Sequence, residues 1–200
     1  MSRGRSLAVA VTFEGGLLVL AFVLGWLTGI APLRHLRFSA PGVMAGAATG
    51  LGLLVILTLA TRTEWPPLAR LEDIVREFVD QFFARATLLD LALVSALAGV
   101  AEEALFRGIL QGAFLSVVGT VPAVAAAALL FGLAHFITAT YAVAATLIGA
   151  LLGALLVATG DLAAPIVAHA LYDFLALAWL VRTADHAPRT RGPDAPESTS

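Results

Sequence analysis

The 200-residue chain predicts an all-α fold: a polytopic membrane bundle of about six transmembrane helices, with one amphipathic interfacial helix. Three observations predict it. Apolar residues make up 60% of the chain and charged residues only 13%, against about 45–50% and about 25% in soluble domains. The mean hydropathy is +0.92, more apolar surface than a soluble fold of this size can hide. Stretches of the roughly 20 apolar residues needed to span a bilayer follow one another, separated by short polar or proline-marked breaks.

Residues 7–30 form the first expected span. Arg3 and Arg5 precede it as in a signal peptide, but the apolar run is too long and lacks a small-residue exit, so the span is read as uncleaved. Pro32 and Pro41 punctuate the loop before the second, residues 40–60. Residues 61–86 break the pattern. Arg62, Glu64, Pro66 and Pro67 make a polar turn. Leu71, Ile74, Val75, Phe78, Val79, Phe82 and Phe83 then recur at helical spacing, with Glu72, Asp73, Arg76, Glu77 and Asp80 between them. That stripe fits a helix lying at the interface, and equally one packed on the bundle. Residues 88–118 are too long for one upright span, so a bend or tilt is expected near Gly99 or Gly108. Spans at 121–137, 141–158 and 162–181 follow. The tail carries Pro188, Pro193 and Pro196 among polar residues and reads as disordered. The expected organisation is 1–86 for two spans and the amphipathic helix, 87–182 for a catalytic helical core, and 183–200 for the tail.

Arginine placement orients the bundle. With the N-terminus inside, Arg3, Arg5, Arg62, Arg70, Arg76, Arg85, Arg182, Arg189 and Arg191 lie on the inner side, and only Arg34 and Arg37 in an outer loop. Both termini are therefore expected to be cytoplasmic, in a bacterial plasma membrane. The net charge of −2 offers no basic surface for nucleic acid. Absence of cysteine excludes disulfides, zinc ribbons and thiol nucleophiles, and absence of lysine excludes Schiff-base and Ser–Lys chemistry. No long-period repeat supports an inverted-repeat transporter. Gly42, Gly46 and Gly50, and likewise Gly149 and Gly153, are four apart. Such spacing permits close helix packing, within the chain or between copies, and the oligomeric state stays open.

Charges inside a span need a partner or a task. Glu102, Glu103 and Arg107 interrupt an otherwise apolar helix. Glu103 and Arg107, four apart, share a face and can pair; Glu102 points about 100° away. His135 stands near the end of the fourth span. His169 and Asp173 share a face of the last. Polar groups in lipid turn inward, so Glu102, Glu103, His135, His169 and Asp173 should converge on one cavity. Such a cavity suits hydrolysis. A carboxylate in a low-dielectric site can take a proton from water, and a histidine can orient that water, protonate a leaving amine or steady an oxyanion. Alternatively Glu102, His135 and His169 are a plausible ligand set for a divalent metal such as zinc, although no H-E-x-x-H helix is present. Asp90 and Asp161 read as caps or interfacial charges. Glu14, in the first span, could pair with Arg5 and is given no catalytic role.

Three ordered motifs carry a resemblance: E-E-x-x-x-R at Glu102, Glu103 and Arg107; F-x-x-x-H at Phe131 and His135; H-x-x-x-D at His169 and Asp173. On successive membrane helices they resemble the CPBP family, the CAAX-protease and bacteriocin-processing membrane proteins also called Abi. Its eukaryotic relatives are endoplasmic-reticulum endopeptidases that trim prenylated CAAX proteins. The resemblance covers residues 88–182, including Phe106, Gly108 and the turn at 159–162. It implies an intramembrane endopeptidase acting on a membrane-associated protein or peptide. It also implies that Glu102 activates the attacking water, that Glu103 and Arg107 hold the site, and that His135 positions the water. His169 and Asp173 would form the oxyanion side. CAAX-processing relatives commonly carry asparagine at the last position. An ionised Asp173 accepts but cannot donate a hydrogen bond, so it could serve the oxyanion only if protonated, or could instead orient His169. The family is described both as metalloproteases and as metal-free glutamate proteases, and the prenylated substrate does not carry over with the resemblance. Two further readings use the same residues differently: a non-enzymatic immunity or scaffold protein, and a proton-coupled transporter.

Overall fold

Each helix begins and ends where the sequence supplies a local signal. The computed structural model describes residues 1–63 and 65–184; the expectations for Glu64, His186, Arg189, Arg191 and most of the polar tail lie outside the described residues. Helix α1 (Arg3–Thr28) stops at Gly29, whose φ of 71° closes the helix in the left-handed conformation that glycine adopts freely. Helix α2 (Ala40–Ala60) starts on Ser39, whose hydroxyl accepts from the Gly42 N–H, with Pro41 in the first turn. Helix α3 (Pro66–Phe83) is the amphipathic one. Helix α4 (Leu88–Glu103) opens with a capping box: the Asp90 N–H donates to the Thr87 hydroxyl and the Thr87 N–H to the Asp90 carboxylate. It continues through a π-helical segment (Ala104–Gln111) into α5 (Gly112–Val118). Helices α6 (Thr120–Ala134), α7 (Ala139–Thr159) and α8 (Ala163–Ala184) complete the bundle, and no strand occurs among the described residues.

Helix α8 is the hub, with α2 against one side and α4 against another, while α1 lies along α4 and α6 pairs with α7. Glycines make the closest of these approaches possible. A side chain at Gly46 would strike the Ala164 carbonyl and Val167, and one at Gly50 would meet the Ala168 carbonyl at 2.8 Å. The Gly42, Gly46 and Gly50 row is thus spent on packing within the chain. Gly99 likewise admits the Ile166 carbonyl and Ala170 of α8.

Four helices are long and apolar enough to cross a membrane by themselves: α1, α2, α7 and α8. Of the other two expected spans, residues 88–118 carry Asp90, Glu102, Glu103 and Arg107 within one long helix. They pass only together with α3, from which they turn by 114°. The sixth, α6, has only 15 residues. It stops three residues before the expected boundary because Thr138 caps the next helix, its hydroxyl accepting from the Tyr141 N–H. Of the two places expected for a bend or tilt in 88–118, Gly108 lies within the π-helical segment and Gly99 lies outside it. The apolar stripe of α3 packs on the bundle. Val79 and Phe83 bury against Leu91 and Val94 of α4 and against Ala178 and Leu180 of α8, and Arg76 lies over the Trp179 ring.

Candidate active site

The site forms where the π-helical segment begins. Glu102 and Glu103 are the last residues of α4, and Arg107 comes one turn later. A π turn holds more residues than an α turn, so it rotates the residues after it relative to those before it. Here the change of winding falls immediately after the two glutamates.

Glu103 is fully buried and its Oε1 accepts two hydrogen bonds. Arg107 Nη1 donates at 2.9 Å, and His169 Nδ1 donates at 2.8 Å from α8. The other arm of the guanidinium donates to the Gly149 carbonyl of α7 at 2.9 Å, and its plane lies 4.6 Å from the centre of the Phe131 ring. One side chain thereby ties the π segment, α6 and α7 to the buried carboxylate. A side chain at Gly149 would meet both Ala128 and the Arg107 guanidinium, so this glycine gives the arginine its room. One turn on, Gln111 repeats the pattern, donating to the Gly153 carbonyl at 3.2 Å.

Glu102 faces the other way, towards His135. The histidine caps α6 and stacks on Phe131 with ring centres 4.3 Å apart. Its Nδ1 lies 2.8 Å from the Phe131 carbonyl. A carbonyl only accepts, so Nδ1 carries the hydrogen and Nε2 presents a lone pair. That Nε2 lies 3.5 Å from Glu102 Oε2, too long for a direct hydrogen bond. Glu102 Oε2 is buried and has no hydrogen-bond partner. Two acceptors thus face each other, and Glu102 Oε2 is left for a donor from outside the chain.

His169 links the two halves. With Nδ1 on Glu103, its Nε2 stands 3.4 Å from Asp173 Oδ2, a loose contact. Tyr141 of α7 completes the wall beside His135, ring centres 6.2 Å apart.

The structure therefore brings all six expected residues together, in two connected groups: Glu103, Arg107, His169 and Asp173 in one, Glu102 and His135 in the other. Asp90 and Asp161 stand apart as caps. Asp90 also pairs with Arg3 at 2.6 Å, and Asp161 accepts from the Ala163 N–H at 2.9 Å. Both ring nitrogens of His169 face carboxylates of the chain, and no group of three His, Asp or Glu side chains suited to a metal occurs among the described residues. Glu14, which the sequence analysis gave no catalytic role, is buried, and its Oε2 has no hydrogen-bond partner. The signal that could have found it is the cost of any carboxylate in a span.

Residues 84–175 match the family model Rce1-like, described as type II CAAX prenyl endopeptidase Rce1-like. The matched segment holds every one of the six residues and ends two residues past Asp173. No curated protein and no solved structure matches the chain.

Proposed function

From the premise that residues 84–175 mark this chain as a CAAX-type membrane protease, we infer that it hydrolyses a peptide bond of a membrane-associated protein or peptide by Glu102-activated water. The observation that carries this reading is the facing pair of acceptors, Glu102 Oε2 and His135 Nε2, 3.5 Å apart. A water held between them presents an oxygen lone pair to a carbonyl carbon. As the C–O bond forms, Glu102 takes the water proton. The carbonyl oxygen becomes an oxyanion beside His169, whose Nε2 is held only loosely by Asp173 and is the donor closest to hand. Collapse breaks the C–N bond, and the proton on Glu102 passes to the departing amine. Glu103 and Arg107 take no part in the proton traffic. They fix the His169 ring by a 2.8 Å hydrogen bond and anchor it to α7. Asp173 suits this scheme as the group that orients His169.

The reading is metal-free, since His169 spends both nitrogens within the chain. Treatment with a chelator should leave cleavage intact. The arginine distribution supports cytoplasmic termini, and the substrate would reach the site from the membrane.

The test compares protein termini in native-host membranes from cells carrying wild type or Glu102→Gln at matched levels. The expected result is a set of new termini present only with wild type, because loss of a general base costs about 10²–10⁴-fold. Equal cleavage by Glu102→Gln would overturn the assigned mechanism. Identical termini, with the biological phenotype intact in the mutant, would favour an immunity or scaffold role.

A further inference from the structure

Glu14 is the sole carboxylate of α1, outside the segment that the family model covers. Its residue is 8% exposed, and its Oε2 is buried without a hydrogen-bond partner. Arg5, the partner the sequence suggested, is exposed and makes no ion pair with it. Three arginines are engaged elsewhere: Arg3 with Asp90, Arg76 with Glu72, Arg107 with Glu103. Helix α1 packs along both α4 and the π segment. Glu14 lies on its buried face, with Ser6, Ala21 and Gly25, and α4 carries Glu102 and Glu103.

The charge balance around the scissile position is therefore lopsided. Glu14, Glu102, Glu103 and Asp173 supply four carboxylates, while Arg107 and the Nδ1 of His169 are both spent on Glu103. A buried acceptor left unpaired is costly, and the cost is relieved by whatever brings a donor.

We propose that Glu14 is a substrate-recognition residue whose free carboxylate oxygen receives a cationic hydrogen-bond donor of the substrate. That donor is a lysine or arginine side chain within a few residues of the cleaved bond. Its place on the buried face of α1, which packs along α4, sets the donor near the bond that Glu102 attacks. The proposal rests on the endopeptidase reading above.

The experiment begins from the termini released by wild type but not by Glu102→Gln. These cut sites should be enriched in lysine or arginine within about four residues. One such segment is then synthesised as found and with norleucine or citrulline in place of the basic residue, and both peptides are offered to the full chain in lipid nanodiscs. Wild type should favour the basic peptide by at least about tenfold in kcat/KM, because a site built around a hydrogen-bonding partner rejects the analogue lacking it. Glu14→Gln should abolish that preference, raising KM for the basic peptide while leaving kcat for the neutral one in place. Glu14→Asp should restore part of it. An equal loss of kcat on both peptides, or a preference that persists in Glu14→Gln, would overturn the proposal. So would cut sites without basic enrichment, a result that needs no Glu14 variant to fold. If wild type and Glu102→Gln release the same termini, it is the endopeptidase reading that fails, and the recognition role falls with it.

Discussion

At the scale of single residues, the site separates the carboxylate that holds from the carboxylate that reacts. Glu103 accepts from a guanidinium and an imidazole through Oε1, whereas the neighbouring Glu102 has only the 3.5 Å approach of His135. Removing one member of a buried ion pair leaves the other uncompensated, at about 3–5 kcal/mol. Glu103→Ala should therefore lower the thermal unfolding midpoint in detergent, while Glu102→Gln should leave it nearly unchanged. If the two variants melted alike, the division between holding and reacting would be wrong. The pairs within one helix, Glu103 with Arg107 and His169 with Asp173, were legible because residues four apart share a face. The bond between Glu103 and His169 was not, since it spans 66 positions and depends on how α4 meets α8. Convergence of the polar groups was foreseeable from the cost of charge in lipid, but the partner of each group was not.

Elements are joined at the far end of the bundle by a single carboxylate. Asp161, in the turn between α7 and α8, accepts from the Arg37 N–H at 3.0 Å, the Ser39 N–H at 2.8 Å, the Ser39 hydroxyl at 2.7 Å and the Ala163 N–H at 2.9 Å. The Leu162 N–H adds a bond to the His35 carbonyl at 2.9 Å. Burial alone would raise the carboxyl's pKa. The four donated hydrogen bonds, led by the Ser39 hydroxyl, outweigh burial and hold it well below the usual carboxylate range. A depressed folded-state value means that the stabilisation is fully present above the unfolded value of about 3.9 and is lost as pH falls below it. Unfolding midpoints of the wild type in detergent should thus decline on acidification through that window. Asp161→Asn, whose amide nitrogen would meet donors, should start lower by about 1–3 kcal/mol and lack that contribution to the decline. The sequence marked Asp161 as a cap but gave no hint that it ties α2 to α8, because the Arg37 and Ser39 donors lie over 120 positions away. The π segment was equally hidden. The length of residues 88–118 announced a bend and two glycines offered places for it; Gly99 serves packing on α8, and Gly108, within the π segment, admits the Pro32 carbonyl.

For the molecule as a whole, the all-helical membrane architecture was readable from composition, because apolar runs of spanning length leave few alternatives. The absence of cysteine makes its orientation directly measurable. A single cysteine at Arg37 should react with an impermeant thiol reagent added outside intact cells, and one at Arg85 only after the membrane is breached. The reverse pattern would overturn the cytoplasmic assignment of the termini. The bundle also shapes the lipid around it. Helix α6 has 15 residues and rises about 22 Å, against a hydrocarbon thickness of about 30 Å. His135 caps its C-terminal end. A bilayer matched to α1, α2, α7 and α8 must thin beside α6, which draws the headgroup boundary inward to the imidazole and hydrates it without a pore. Proteolysis should then depend on acyl-chain length: fastest in thin bilayers, slower as longer chains make the dimple harder to sustain. The enzyme would read membrane thickness through the short helix that ends at its own imidazole.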